Sequence, residues 1–462
     1  MKSLSRIAAV LVASSAPFLG LVPLDAVAQS DRALDVRSAR AVEHWTPERR
    51  AAAIPRHLVI DERGLGYLRG RGNQLQPYGH NIAALGAPAK DSTGPAVSAM
   101  SPAAGAVIGA SANFSANVAD PSGVKTVTFY VRSGNAAAQS FAATKGTGDV
   151  WSANLSGFTN GAWSWYVVAK DGAKPGNTTT SAVAAFTVST GGGGGGGGGS
   201  VPNAEWTGGG VVQDAAGRIY FEMPSNAQRT RWAGYVCSGT VTNDGTPGRS
   251  IIITASHCVY DDANKAFARN VLFIPDQAET SGTGTDTNCA NDPIGCWAPA
   301  FGVVDVNWTT RTFPNNVAWD YAFYVVNDTG AHSAGLSAAS NTLDAAVVPM
   351  DVSFAPISVG ALSHALGYSY DVDPQFMYCA DPIENMDAAN WWLPNCGLSG
   401  GSSGGPWSQP FSMTTGNGPI ISVNSWGYTN QPGMAGPKLA GTSASCIYAT
   451  AKSAPFGTFT DG

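Results

Sequence analysis

Charged residues are scarce in this chain of 462 residues, where Asp, Glu, Lys and Arg together make up 13%. Long surface helices need Glu, Lys and Arg, so this scarcity disfavours them, whereas 56 glycines and 28 prolines favour strands joined by turns. The formal net charge of -6 provides no basic surface for nucleic acid. The composition therefore predicts an all-β protein, and the length predicts two or three domains.

Cysteine is missing from the first 236 residues, and all seven cysteines follow. In an exported protein this clustering predicts disulfides within one domain. The sequence contains no C-x-x-C pair and few histidines, which disfavours a zinc site, so we expect no metal and no cofactor. Spacing does not fix the connectivity, but neighbours in sequence suggest Cys237–Cys258, Cys289–Cys296 and Cys379–Cys396, with Cys446 left over as a buried free thiol.

Long apolar runs are also missing beyond the N terminus. Lys2 and Arg6 precede an apolar stretch over residues 7–24, and Ala26-Val27-Ala28 follows as a small-x-small cleavage pattern. A membrane anchor is disfavoured because two prolines interrupt the stretch, and no other segment approaches the ~20 apolar residues that a span requires. We expect a signal peptide over residues 1–28 and a secreted protein without membrane contact after its removal.

A run of nine glycines over residues 191–199 predicts a flexible linker, residues 190–200, because glycines cannot pack a core. Residues 201–462 follow it, contain every cysteine and are rich in predicted strands and turns, with buried strands expected at Ile251–Thr254, Tyr321–Val326 and Ile420–Val423. Residues 29–95 are rich in Arg and punctuated by Pro, and their apolar residues show too little periodicity to predict a domain.

Residues 96–189 are predicted to form a β-sandwich. Alternating apolar residues from Val127 to Val131 suit one buried sheet face. The segment resembles a bacterial immunoglobulin-like domain, without the disulfide of antibody domains. Trp163, Trp165 and Tyr166 could form an aromatic ligand platform, with at least one of them in the core. The predicted strands are Asn113–Val118, Val124–Val131, Trp151–Leu155, Trp163–Ala169 and Val183–Val188.

Three local patterns in residues 201–462 carry reactive side chains. His257 follows an apolar run, Asp320 precedes another, and Ser403 lies in a Gly-rich turn. Alone, each pattern is typical of a structural His, a turn-capping Asp or a flexible loop. Together they provide a nucleophile, a base for its proton and a carboxylate to orient the base. Glycines beside the serine also allow backbone N–H groups to converge on an oxyanion.

The order of these residues along the chain distinguishes between hydrolase classes. The glycines around Ser403 also fit the G-x-S-x-G nucleophile elbow of α/β-hydrolases, in which the His follows the Ser. Here no His follows His364. A subtilisin-type order would need an Asp before the His and helical α/β sequence, which is not seen. The order His257, Asp320, Ser403 is that of chymotrypsin.

The motifs T-A-x-H-C, D-x-A and G-x-S-G-G-P together resemble those of the chymotrypsin/trypsin-like secreted bacterial serine peptidases, over residues from about 210 to 455. The resemblance implies a chymotrypsin-like protease domain of two β-barrels with the active site between them. It makes Ser403 the nucleophile and places the oxyanion hole at the amides of Gly401 and Ser403. Asp320 is preferred over Asp305 because an Ala two residues later matches the motif.

Further segments match the same family. The segment from Tyr235 to Thr240 resembles the strand that bears the partner cysteine. Ser425, Trp426 and Gly427 are similar to the family's segment that pairs with substrate backbone. Residues 45–50, Trp-Thr-Pro-Glu-Arg-Arg, resemble the propeptide of such peptidases, which implies a zymogen; a disordered linker is the alternative.

Two positions depart from the family pattern. Ser402 stands where digestive enzymes carry the Asp that pairs with a newly cut N-terminus, so removal of residues 29–200 would relieve a blockage rather than build the site. Gly397 stands six residues before the nucleophile, at the expected base of the specificity pocket. An Asp is absent there and no His follows Ser403, so we expect a small or apolar P1 residue rather than Arg, Lys or Glu.

The sequence thus predicts a secreted serine endopeptidase that hydrolyses proteins or peptides through an acyl-enzyme. An alternative is an adhesive or carbohydrate-binding protein with an inert protease fold, in which the immunoglobulin-like domain contacts a surface or polysaccharide. A third hypothesis is an esterase on another fold. Fluorophosphonate labelling of Ser403 would separate the first two hypotheses, and circular dichroism the third.

Overall fold

The computed structural model describes residues 36–70, 74–79, 93–102, 106–108, 111–120, 123–134, 136–145, 150–173, 176–188, 200–284, 288–329, 332, 335 and 342–456. The expected signal peptide and glycine run lie outside these residues. Strands dominate the described chain, which confirms the all-β prediction. Within these ranges, no helix has the length and apolar content needed to span a bilayer.

The N-terminal segment, residues 36–79, is not a separate unit. Residues 36–44 are helical, and a short helix over Pro47–Ala52 begins at Thr46, whose hydroxyl accepts from the Arg49 amide. Pro47 suits the first helical position, where no N–H partner is needed. The strands that follow are β1 (Ile54–Pro55), β2 (His57–Ile60), β3 (Gly66–Arg69) and β4 (Leu75–Pro77).

The immunoglobulin-like region packs two sheets face to face. One sheet has the order β10-β11-β7-β5 and the other β6-β14-β12-β8-β9, with β13 beside β12. Alternate residues such as Phe129 and Trp165 point into the shared core, as the period-2 pattern predicts. The strands are β5 (Ala96–Ser101), β6 (Val107–Ile108), β7 (Ser111–Ala119), β8 (Val124–Ser133), β9 (Gln139–Ala142), β10 (Thr144–Lys145), β11 (Val150–Ser156), β12 (Gly161–Asp171), β13 (Thr178–Thr180) and β14 (Ala184–Val188).

The first half of the C-terminal region is an antiparallel sheet of order β21-β16-β17-β18-β23-β22, against which β1 pairs at β17. Its centre is the buried isoleucine run of β18, whose branched side chains suit a pleated, enclosed strand. Its strands are β16 (Ala216–Pro224), β17 (Trp232–Thr242), β18 (Arg249–Thr254), β21 (Arg269–Pro275), β22 (Phe301–Val304) and β23 (Ala322–Asn327). β19 (Tyr260–Asp261) and β20 (Ala266–Phe267) form a separate two-stranded sheet, and β15 (Val201–Glu205) pairs with a strand of the second half.

The second half contains two sheets, of order β15-β25-β24-β28-β29 and β26-β27-β31-β30-β2-β3-β4. The second of these sheets therefore includes three strands of the N-terminal segment. The strands of residues 362–437, which are shared between the two sheets, are β24 (Leu362–Gly367), β25 (Met377–Pro382), β26 (Glu384–Asn385), β27 (Asn390–Leu393), β28 (Pro406–Ser408), β29 (Ile420–Val423), β30 (Trp426–Tyr428) and β31 (Met434–Pro437). α-Helices cover Val211–Ala215, Val306–Thr310, Leu343–Ala346 and Ala444–Ser453.

The three expected disulfides are confirmed: Cys237–Cys258, Cys289–Cys296 and Cys379–Cys396. Cys446 is free, as expected, but it is exposed, so the expectation of a buried thiol is wrong. It lies on the Ala444–Ser453 helix, whose buried residues are Ala444 and Ala451. Since residues two and five positions away from Cys446 face the core, the thiol points elsewhere on the helix surface.

Candidate functional site

A buried imidazole–carboxylate pair forms the centre of the site. His257 lies in a short 3-10 turn directly after β18, and Asp320 lies directly before Tyr321 and β23, the strand that pairs with β18. His257 Nδ1 is 2.7 Å from Asp320 Oδ2, and the His257 backbone amide donates to Oδ1 at 2.8 Å. Both side chains are fully buried. This two-point contact fixes the ring and leaves the proton of Nδ1 on the carboxylate side.

Ser425 contributes a further hydrogen bond to this pair. Its hydroxyl donates to Asp320 Oδ2 at 2.5 Å. The sequence predicted a substrate contact for Ser425, and the position of its side chain adds a role in holding the carboxylate. Asp305, the competing candidate for the acid, caps the helix Val306–Thr310 by accepting from the Asn307 amide at 2.7 Å, and so serves another element.

The turn that carries Ser403 is packed tightly against the first sheet. Gly404 has a φ of +82°, and a Cβ there would lie 2.1 Å from the Thr254 hydroxyl and 2.4 Å from the Ser238 carbonyl oxygen. Only glycine fits at this distance. The Ser238 amide donates to the Ser403 carbonyl at 2.7 Å, and the Ser238 hydroxyl donates to the Gly401 carbonyl at 2.9 Å. Backbone contacts with β17 and β18 thus position the turn.

The amides predicted to form the oxyanion hole, those of Gly401 and Ser403, make no hydrogen bond to any residue that the structure describes. Gly401 has a φ of +98°, a conformation that favours glycine. Between them, the Ser402 hydroxyl donates to the Ser399 carbonyl at 2.7 Å. Ser402 therefore has a local partner and needs no distant N-terminus to fix the turn.

Ser403 does not hydrogen-bond to His257 in this structure. Its hydroxyl donates instead to the backbone carbonyl of Arg56 at 3.0 Å. His257 Nε2 is buried and has no hydrogen-bond partner among the described residues. The N-terminal segment thus contacts Ser403 directly, a contact that the sequence did not predict.

The segment Ile54–Ile60, here called the cleft strand, runs between the two halves of the C-terminal region. Ile54 and Pro55 pair with Tyr235 and Val236 of β17. Residues 58–60 pair in parallel with Trp426, Gly427 and Tyr428, the segment predicted to pair with substrate backbone. The apolar run that follows His57 was the signal in the sequence for a strand, and the structure buries all four residues of β2. No local pattern indicated which strand it would pair with.

Two contacts hold the cleft strand beside the reactive groups. A Cβ at Gly400 would lie 2.6 Å from Pro55 Cβ and 3.1 Å from His57 Cβ, so these residues cover the glycine turn. Burial, with smaller contributions from Arg69 and His257, lowers the pKa of His57 to about 3. The His57 ring is therefore neutral at neutral pH.

Gly397 lies beside β15. It is exposed, and its amide donates to the Pro202 carbonyl of β15 at 2.6 Å. The expectation that Gly397 forms the base of a specificity pocket stays a prediction. The Cys379–Cys396 disulfide holds the chain immediately before Gly397 against β25, which directs this glycine towards β15.

The Sγ atoms of Cys237 and Cys258 and a ring nitrogen of His257 lie within 4.8 Å of one another. The two sulfurs are bonded to each other, so neither is a thiolate that could bind a metal. The disulfide instead joins β17 to the turn that carries His257, and so fixes the imidazole relative to the strand behind it.

The β-sandwich is similar to a known domain family. The bacterial Ig domain family matches residues 95–182. Residues 95–182 are therefore a bacterial Ig-like domain, which confirms the prediction of an immunoglobulin-like domain in this part of the chain. Trp165 is fully buried in its core, whereas Tyr166, on the opposite face of β12, stacks on Tyr130 at 5.0 Å. Trp163 packs against the core and is half-buried, so the three predicted aromatics do not form one platform.

Among curated proteins, none matches this chain. Solved structures with local similarity include an engineered protein (21% identity, 21% of this chain, 20% of that chain, TM-score 0.18). The fibronectin(III)-like modules of Clostridium thermocellum CbhA are 28% identical over 20% of this chain and 94% of that chain, with a TM-score of 0.16. The endo-β-1,4-mannanase from Thermotoga petrophila is 16% identical over 22% of this chain and 21% of that chain, with a TM-score of 0.18. The chain thus spans about a fifth of the length of the engineered protein and of the mannanase.

Proposed function

We propose that residues 201–462 form a secreted serine endopeptidase of the two-barrel chymotrypsin type, with His257, Asp320 and Ser403 as its catalytic triad. The observation that carries the proposal is the buried His257–Asp320 pair, joined at 2.7 Å and 2.8 Å, with Nε2 of the imidazole left without a partner in the described chain. A buried unpaired ring nitrogen is costly, and a base that awaits a hydroxyl proton accounts for it.

The chemistry follows from these positions. The Ser403 hydroxyl attacks the carbonyl carbon of a peptide bond while its proton passes to His257 Nε2. The amides of Gly401 and Ser403 stabilise the resulting oxyanion. The imidazolium, held by Asp320, then gives the proton to the departing amine, which leaves an ester on Ser403. Water repeats the sequence and releases the acid.

Residues from two sheets contribute to this site, which supports the two-barrel architecture. His257 and Asp320 flank paired strands of the first sheet, whereas Ser403 precedes β28 of the second half. A cleft between two halves is where substrate backbone has access to all three groups. The small or apolar P1 preference remains part of the proposal, because Gly397 provides no acidic side chain six residues before Ser403.

We further propose that the full chain is a zymogen and that the cleft strand keeps it latent. The Ser403 hydroxyl points its proton at the Arg56 carbonyl oxygen rather than at His257, so proton transfer to the base cannot begin. Attack on the Arg56 carbonyl is disfavoured by the same contact, because the hydroxyl meets the oxygen and not the carbon. Removal of the N-terminal segment would free the hydroxyl.

The Ig-like domain does not take part in this chemistry. The stacked Tyr130 and Tyr166, with ring planes 5° apart, offer an apolar surface on the outer face of β8 and β12. Contact with a surface polysaccharide through this face is a proposal that stands apart from the peptidase.

Covalent labelling tests the peptidase proposal. A fluorophosphonate should modify Ser403 in the active secreted form, as found by peptide mass mapping, and the same preparation should hydrolyse casein. Ser403→Ala should lose both responses, while Ser402→Ala, a matched change at the neighbouring serine, should keep labelling at residue 403. Absence of labelling in folded, processed wild-type protein would refute the proposal and favour an adhesive protein with an inert protease fold.

A further inference from the structure

Arg56 fills a pocket beside the nucleophile. Its guanidinium is fully buried, and Nη2 donates to Asp261 Oδ2 at 3.1 Å and to the Tyr78 hydroxyl at 2.7 Å. Its Cζ atom is 5.0 Å from the centroid of the Tyr235 ring and 5.1 Å from that of the Tyr78 ring. Although burial disfavours the charged form, the electrostatic interactions with Tyr78 and Asp261 raise the pKa of Arg56 above its ordinary value. Arg56 is therefore a buried cation.

The part of this pocket that belongs to the C-terminal region is acidic. Asp261 is 2% exposed, and its Oδ1 accepts from the Asn264 amide at 2.7 Å, while Oδ2 faces the guanidinium. Asp262 lies beside it, and burial raises the pKa of its carboxyl group. Asp262 accepts from the Phe313 amide at 2.6 Å. Departure of Arg56 would leave the Asp261 carboxylate without its cation, so the vacated pocket selects a positively charged ligand.

The pocket lies next to the point of cleavage. The residue whose side chain fills it is the same residue whose carbonyl accepts from Ser403. Asp261 is four residues after His257 on the same stretch of chain, and Tyr235 is two residues before Cys237, the disulfide partner of Cys258. A ligand side chain in this pocket thus belongs to a residue within two positions of the bond that Ser403 attacks.

We infer that Tyr235 and Asp261 form a subsite for an arginine side chain of the peptide substrate, and that Arg56 occupies it in the unprocessed chain. The inference rests on the proposed peptidase function and names a substrate feature for it. Arginine is preferred over lysine because a planar guanidinium stacks on the Tyr235 ring, whereas an ammonium makes only a point contact.

Chemical rescue in the full chain tests the pocket without catalysis. Arg56→Ala vacates it, and ethylguanidinium should raise the Tm of this variant saturably, by about 1–3 °C at ten times Kd. Ethylurea, a neutral analogue of similar shape, should raise it by less than a third as much. The response should vanish in Arg56→Ala/Asp261→Asn and persist in Arg56→Ala/Asp276→Asn, since Asp276 is a buried acid bonded to Gln213 instead. Equal responses to both compounds, or persistence with Asp261→Asn, would overturn the inference.

Cleavage specificity is the second measurement and does not depend on the folding of Arg56→Ala. The active secreted form should digest a peptide library with arginine enriched about tenfold at one position within two residues of the scissile bond. Asp261→Asn should bring kcat/KM for an Arg peptide to within threefold of kcat/KM for the matched Ala peptide. Cleavage without any arginine enrichment would refute the subsite. Rescue by ethylguanidinium without cleavage of any peptide would refute the peptidase and leave an arginine pocket.

Discussion

Loss of the Arg56 side chain should open the cleft of the full chain. In Arg56→Ala the cleft strand keeps its backbone pairing, but Asp261 remains buried without a cation while the strand is docked. Breaking one partner of a buried ion pair costs about 3–5 kcal/mol. Because Asp261 regains water when the strand leaves, this cost falls on the docked state alone.

The expected magnitude follows directly. If the reagent reaches Ser403 only when the cleft strand is open, labelling by a fluorophosphonate accelerates by the factor by which opening becomes easier. At 1.4 kcal/mol per tenfold, a change of 3–5 kcal/mol corresponds to about 140- to 4,000-fold. Intact mass spectrometry of the full chain at a series of reaction times measures this rate.

Arg63→Ala provides the matched control in the same segment. Arg63 pairs with Asp61 at 2.8 Å, but its side chain is 54% exposed, so solvent screens the pair and the rate should change by less than about fivefold. Two results would contradict the reasoning. One is wild-type full chain that labels as fast as the active secreted form; the other is folded Arg56→Ala that labels at the wild-type rate.

Three further outcomes are expected. Ser425→Ala should lower kcat/KM of the active form about 10- to 100-fold, since a hydrogen bond to a charged group such as Asp320 contributes about 1.5–3 kcal/mol, whereas Ser408→Ala should change it less than threefold. The His57 ring is neutral in the docked cleft strand, where its pKa is lowered to about 3. Docking is therefore most stable above the pKa of about 6.5 that the ring has when undocked, and at pH 5 the free energy of docking is weaker by about 2 kcal/mol. Hydrogen exchange over residues 58–60 should be faster at pH 5, and His57→Phe should abolish this pH dependence. Maleimide should modify native protein at Cys446 and at no other cysteine, and burial of this thiol would appear as no modification before unfolding.

The proposed latency differs from a switch that builds an active site. Ser402 already has a partner in Ser399, and the Gly401 turn is already shaped, so no new N-terminus is needed to order it. In this proposal the cleft strand occupies the site instead. Its backbone pairs with residues 426–428, and its Arg56 carbonyl accepts a hydrogen bond from the Ser403 hydroxyl. Proteolytic removal is then sufficient for the proposed activation.

Local chemistry was readable from the amino-acid order. The isoleucine run of β18, the strands of the Ig-like domain and the three disulfides all follow patterns within about twenty residues, where side-chain periodicity and spacing act directly. The choice of Asp320 over Asp305 also came from a short motif, and the contact at 2.7 Å agrees with it.

Long-range pairing was not readable. Ser403 and Arg56 are 347 residues apart, and nothing in residues 54–60 indicates that they fill a cleft rather than a linker. The exposure of Cys446 and of Gly397 likewise depends on which faces neighbouring strands cover. Residue type and spacing set the reactive groups and the strands, because those depend on nearby backbone. The pairing of distant segments was decided by the burial of apolar and charged surface across the folded molecule, a property that no short window of sequence contains.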